Sequence, residues 1–177
     1  DDAIVELGKF LQKNLLDDLP LSWVPDAEWA RARDGGTLGY YTKVAHRVMM
    51  PASGKTNYST IVHEILHSAT VHKLDYGKQN PNTPIGKLTA ELEDLRLQAI
   101  ARAKKDGKGA ENNYYLTNVY EFTAGLFSGK KSVGNRAQEF KDLLASIPVA
   151  DKNMLHKLVD IVRKLFGMGA KETNAFL

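Results

Sequence analysis

The chain has 177 residues, with 24 Lys+Arg against 21 Asp+Glu, five His, no Cys, 43% hydrophobic and 25% charged residues. That length and apolar content suit a single domain with one sizeable core and exclude wholesale disorder. The lack of Cys excludes a disulfide scaffold, a thiol nucleophile and any Cys-ligated metal, and a net charge of +3 is too small to argue for nucleic acid by itself.

The expected organisation is one domain over 1–177. It has an N-terminal helix and connector over 1–36, a core over 37–166 and a loose tail over 167–177. In Ala3–Asp18, Ile4, Val5, Leu7, Leu11, Leu15 and Leu16 recur at helical spacing, and Leu19-Pro20 ends the helix. Leu21–Pro25, with Trp23 between two prolines, reads as a packed irregular connector. Asp26 is the expected N-cap of a short turn through Glu28, Trp29, Ala30 and Arg31, and Asp34-Gly35-Gly36 then turns the chain. Leu38–Tyr41 and Val44–Met50, rich in aromatic and β-branched residues, read as a small hairpin or pair of strands closed by Pro51.

From Thr56 the period changes to helical. Ile61, Val62, Ile65, Leu66, Ala69 and Val71 mark a mostly apolar helix to about Leu74, followed by a loop over Tyr76–Pro84. Further helices are expected at Ile85–Lys105, Asn112–Ser128, Asn135–Ser146 and Asp151–Phe166, the last capped by Asp151. The fold class is α+β, dominated by helices, with a small sheet or hairpin before the central helix.

That central helix carries His63-Glu64-Ile65-Leu66-His67. Residues four apart share one helical face, so the two imidazoles can bind one ion. Zinc takes neutral imidazole nitrogen, and a catalytic zinc site uses three protein ligands plus water. Glu64 stands beside the first ligand and can take a proton from that water as general base. An apolar helix holding these groups without a metal would strand them at a cost in free energy.

With no Cys, the third ligand must be His or carboxylate. His72 lies nine residues after His63, about half a turn off the ligand face, and reads as a surface or supporting residue. His46 and His156 read as structural. Glu121, flanked by Val119, Phe122, Ala124, Leu126 and Phe127, is poorly placed for a solvated face and is the expected ligand. Glu91 and Glu93 lie in a charged helix with Asp94 and Arg96 and read as solvated. Tyr114, two turns before Glu121 on a regular helix, is the candidate donor to a developing oxyanion. The strand Val44–Met50 offers an edge for an extended peptide, with Met49 and Met50 lining the cleft or packing in the core.

These residues resemble a gluzincin-type metallopeptidase. More narrowly, Arg47 to about Phe140 is similar to the zincin-like peptidase domains of large polyvalent proteins in phages and mobile elements. The matching pieces are Val62–Thr70 and Glu121–Ala124. The resemblance implies that His63, His67 and Glu121 bind Zn2+, that Glu64 is the base, and that the substrate is a protein or peptide. It also implies a cytoplasmic or virion setting and a larger parent protein, and a start at Asp1 instead of Met fits a piece trimmed from one. Such motifs often carry an acidic residue four positions after the ligand Glu, and here that place is Gly125. Support for a ligand His is then expected from Asp75, Glu91 or a backbone carbonyl. Two alternatives accompany this reading. One is a catalytically weak or inactive zincin-fold structural or interaction module of a phage or mobile-element protein. The other is a DNA-associated protease resembling the SprT-like group, suggested by Arg102, Lys104, Lys105, Lys108, Lys130 and Lys131. No run of about 18 apolar residues points to a membrane, and no signal peptide is recognisable.

Overall fold

The computed structural model describes residues 9, 21–32, 39–42, 47–53, 58–107, 112–128 and 136–168. The expected helix Ala3–Asp18, the turn at Asp34–Gly36 and most of the tail therefore lie outside the described residues, apart from Lys9 and the start of that tail.

The chain places a three-stranded sheet beside a helical body. Strand β1 (Leu21–Val24) pairs in parallel with β3 (Arg47–Pro51), and β2 (Tyr40–Thr42) pairs antiparallel with the other side of β3. The expected hairpin is present, with Tyr40 opposite Met49 and Thr42 opposite Arg47. The irregular connector expected at Leu21–Pro25 is instead an edge strand. Pro20 and Pro25 do bar a helix there, but they leave four residues free to extend. The parallel partner is more than twenty residues away, beyond the reach of a local pattern. Helix α1 (Asp26–Ala32) starts with the carbonyl of Pro25 accepting from the amides of Glu28 and Trp29, each at 2.9 Å. Asp26 is thus inside the helix and does not cap it; its carboxylate accepts from Ser53 N at 3.0 Å, tying α1 to the end of β3.

Helix α2 (Tyr58–Gln79) continues well past the expected end near Leu74. Gly77, a breaker by sequence, is needed where α2 meets α3 (Pro84–Asp106). A Cβ at Gly77 would sit 2.1 Å from Thr89 Oγ1. Its absence lets two long helices approach closely, and the tertiary contact overrides the local propensity. Thr83 caps α3, accepting from Gly86 N at 3.0 Å, and Leu92, Leu95, Ala99 and Ala103 form its buried face.

The single helix expected over Asn112–Ser128 is broken into three pieces. A 3-10 turn at Tyr114–Leu116 is followed by α4 (Val119–Ala124) and a second 3-10 turn at Gly125–Phe127. Two asparagines make the breaks. Asn113 Oδ1 accepts from Tyr115 N at 3.1 Å, and Asn118 Oδ1 accepts from Tyr120 N and Glu121 N at 3.0 and 2.9 Å. Each Asn satisfies amides that a continuous helix would bond internally, so each starts a new element. Helix α5 (Arg136–Ser146) follows, then a two-residue ladder of β4 (Pro148–Val149) with β5 (Lys152–Asn153), then α6 (Met154–Leu165). Asn153, and not the expected Asp151, caps α6, accepting from His156 N at 3.0 Å. Asp151 belongs to the hairpin turn, beside Ala150 with φ 54°.

One apolar cluster joins α2 to α6. At its aromatic centre Phe122 meets Phe140 edge to face at 5.6 Å and Tyr115 meets Phe140 at a tilt, 5.3 Å between centroids, with both phenylalanines fully buried. Truncating either would cost about 3–5 kcal/mol. No helix among the described residues is long and apolar enough to cross a membrane.

Candidate metal centre

The first half of α2 is buried against β2, α4 and the turn after it, which carries His63, Glu64 and His67 into the interior. Their exposures are 8–9%, low enough that each polar group needs a partner. Helix α4 is only six residues long, and Asn118 fixes its first turn by bonding the amides of Tyr120 and Glu121. Glu121 is thereby held facing α2.

The three expected ligands converge. His63 Nε2 and His67 Nε2 are 3.1 Å apart, and Glu121 Oε2 lies 3.3 Å from the first and 3.2 Å from the second. His63, His67 and Glu121 form a group able to hold a metal ion. A tetrahedral zinc with bonds of 2.0–2.1 Å needs ligand atoms about 3.3 Å apart. The observed triangle has that size.

The protonation pattern supports the same fit. His63 Nδ1 lies 3.0 Å from the carbonyl oxygen of Ala124, which can only accept. In the neutral ring the proton therefore sits on Nδ1, and Nε2 turns a lone pair toward Glu121 and His67. Glu121 Oε2 is buried and has no hydrogen-bond partner among the described residues. Such acceptors crowd together at a cost unless a proton or a cation lies between them. The other carboxylate oxygen, Oε1, accepts from the Tyr114 hydroxyl at 2.6 Å. Burial opposes ionisation of Glu121; the two imidazoles, when they carry a proton toward Oε2, and this hydroxyl outweigh it and hold the carboxyl well below the usual carboxylate range, so in the metal-free site a proton takes the place a cation would fill.

Glu64, next to the cluster, behaves in the opposite way. Burial pushes its carboxyl up from 4.5 to about 7; Glu121 adds to the rise, while His63 and the backbone amide of Tyr41 oppose it. Burial, with the bond to Glu121, likewise raises the Tyr114 phenol far above its ordinary value, so the hydroxyl keeps its proton. That one proton is given to Glu121 Oε1 in this arrangement, so Tyr114 steadies the carboxylate where an oxyanion donor was expected. The contact forms although the regular helix on which the seven-residue spacing was argued is broken.

Gly125, where an acidic residue was looked for, has no room for a side chain. A Cβ there would lie 2.8 Å from Phe140 Cε1 and 3.0 Å from Tyr115 Cδ1. His63 is supported instead by the neighbouring Ala124 carbonyl, the third of the expected alternatives. The other two are engaged elsewhere: Asp75 accepts from the Tyr120 hydroxyl, and Glu91 pairs with Lys157 Nζ at 2.6 Å.

His72 is exposed, its Nε2 3.3 Å from the Tyr41 hydroxyl. His156 is also exposed, with Nδ1 2.8 Å from Asn153 Oδ1, and His46 lies outside the described residues. Glu93 pairs with Arg96 on α3. The edge expected of Val44–Met50 is not free, because β3 is the central strand, flanked by β1 and β2. Met50 is fully buried in the core and not in a cleft; Met49 is half-buried. Of the basic cluster, Arg102 pairs with Asp106 at 3.0 Å, while Lys108, Lys130 and Lys131 lie outside the described residues.

Sequence reasoning missed Asn118 and Ser128. Asn118 had a signal, since Asn followed three residues later by Glu is the pattern of a helix N-terminus. Ser128, whose Oγ is 2.9 Å from His63 Nδ1, had none.

No family model and no solved structure matches the chain. A bifunctional cytochrome P450/NADPH–P450 reductase of Aspergillus oryzae (strain ATCC 42149 / RIB 40) is 26% identical over 123 residues, covering 70% of this chain and 11% of the relative. The chain thus spans about a ninth of the length of that protein, a distant and partial likeness.

Proposed function

We propose that this chain is a zincin-like metallopeptidase domain that hydrolyses peptide bonds in a protein or peptide substrate. His63 Nε2, His67 Nε2 and Glu121 Oε2 would hold Zn2+, and Glu64 would be the general base. The observation that carries this reading is the triangle of three buried nitrogen and oxygen atoms of metal-ligand type, 3.1–3.3 Å on a side, with a carboxyl of raised affinity for protons beside it. When bound, the ion would supply Lewis acidity and lower the pKa of a water toward about 7.

The remaining chemistry belongs to the chain. Burial raises the proton affinity of the Glu64 carboxyl, and a cation held by its neighbours would favour the carboxylate, so it can accept a proton from the attacking water and return it to the leaving amine. The Ala124 carbonyl keeps the proton of His63 on Nδ1, and Tyr114 occupies Oε1 of Glu121, which leaves Oε2 as the donor atom. The resemblance to polyvalent phage and mobile-element domains extends the proposal to a larger parent protein, with a virion or cytoplasmic setting.

A catalytically weak or inactive zincin-fold module drew one of its motives from Gly125. The Ala124 carbonyl, 3.0 Å from His63 Nδ1, offers support of another kind, which weakens that motive. For a DNA-associated protease, the pairing of Arg102 with Asp106 weakens the basic cluster.

The test combines zinc content with cleavage of an unfolded protein substrate by wild type, Glu64→Gln and chelator-treated protein. Wild type should bind one zinc and cleave; Glu64→Gln should keep the zinc and lose about 100-fold or more in rate. Absence of zinc binding overturns the whole reading. Zinc binding with no hydrolysis leaves the non-cleaving module.

A further inference from the structure

We propose that Ser128 is a positioning residue that locks His63 in the tautomer able to donate from Nε2. The inference rests on the reading of His63 as a metal ligand. Ser128 ends the 3-10 turn Gly125–Phe127, and its residue is 2% exposed. Its Oγ is 2.9 Å from His63 Nδ1, and Ala124 O is 3.0 Å from the same nitrogen. The two oxygens form a seat for one N–H. Ala124 O has no proton to give, so the seat is satisfied only when the imidazole proton is on Nδ1, shared between both acceptors.

The seat is itself held from outside. Lys141 Nζ, reaching from α5, donates to the carbonyl oxygen of Ser128 at 2.8 Å. The N–H of Ser128 is bonded to Gly125 O at 3.2 Å. The backbone of Ser128 is therefore held on both sides of its Cα, with the hydroxyl beside the ring. The close packing of Gly125 on Phe140 and Tyr115 explains why the support comes from this turn: the backbone passes too near the core for a carboxylate at position 125, so the carbonyl of the residue before it and the hydroxyl three residues after it take that role. Groups that orient a ligand imidazole set both its tautomer and its basicity, and losing one weakens metal binding about tenfold or more.

The test reads the His63 ring nitrogens directly by 15N NMR, in wild type, Ser128→Ala and Ser128→Thr, each metal-free and titrated with zinc chloride. Wild type should show the proton of neutral His63 on Nδ1 before zinc is added. Ser128→Ala should show a mixture of tautomers and about tenfold weaker zinc affinity, with Ser128→Thr restoring both. A His63 proton on Nε2 in metal-free wild type overturns the proposal, whether or not any variant folds. So do an unchanged tautomer and unchanged zinc affinity in Ser128→Ala. If wild type binds no zinc while the tautomer results come out as stated, the metal reading fails and the seat for His63 stands.

Discussion

Replacing Glu64 with Gln should make the metal-free protein more stable at alkaline pH, by an amount set by the burial of the carboxyl. In the folded chain its pKa is raised from 4.5 to about 7. The folded state therefore binds this proton more tightly than the unfolded state. The contribution to stability is fully present below pH 4.5 and is lost as pH rises through about 7. A difference of about 2.5 pH units at 1.36 kcal/mol each gives roughly 3 kcal/mol of destabilisation at pH 8. The residue is only 9% exposed, so solvent screening takes little from that figure. Gln keeps the shape and carries no charge, so the variant should lack this dependence. Urea unfolding of wild type and Glu64→Gln, with chelator present, at pH 4.5 and pH 8 measures the effect. The variant should gain up to ~3 kcal/mol on wild type between the two, equivalent to a rise in melting temperature of about 6–12 °C for a chain of this size. A stability difference that is the same at both pH values would refute the reasoning, as would one that moves in favour of wild type at pH 8.

Tyr114→Phe removes the donor to Glu121 Oε1 and should weaken zinc binding about tenfold, as read by competition with a chromophoric chelator; unchanged affinity would contradict the steadying role. Gly125→Ala forces a Cβ to within 2.8 Å of Phe140 and should destabilise by about 1–3 kcal/mol in urea titrations, against the gain that alanine normally brings to a helical turn. Asn118→Ala removes the cap of α4 and should cost about 0.5–2 kcal/mol of stability, while loosening Glu121 enough to lower zinc affinity in the same competition assay.

The two histidines and Glu64 were legible because a helix fixes the relation between positions four apart, and the apolar pattern around Ile65 and Leu66 identified the helix. Glu121 was legible for a different reason. A carboxylate among Val119, Phe122 and Ala124 contradicts its surroundings, and contradictions of that kind mark sites. The geometry joining α2 to α4 was not legible. It depends on Asn113 and Asn118 breaking a segment whose period reads as one helix. Ser128 was invisible because its role comes from the return of the chain after Gly125, not from its neighbours in sequence. In the sheet, β2 and β3 form a local hairpin and announced themselves. Strand β1 pairs across a long crossover, and its four residues between prolines carry too little pattern to identify it.

The central claim is that His63, His67 and Glu121 together form one metal site. Calorimetric titration of the metal-free protein with zinc tests it most directly. One tight site per chain is predicted, lost in His63→Ala, His67→Ala and Glu121→Ala and retained in Glu64→Gln. Absence of stoichiometric binding, or a site whose affinity survives His63→Ala and Glu121→Ala, would contradict the account.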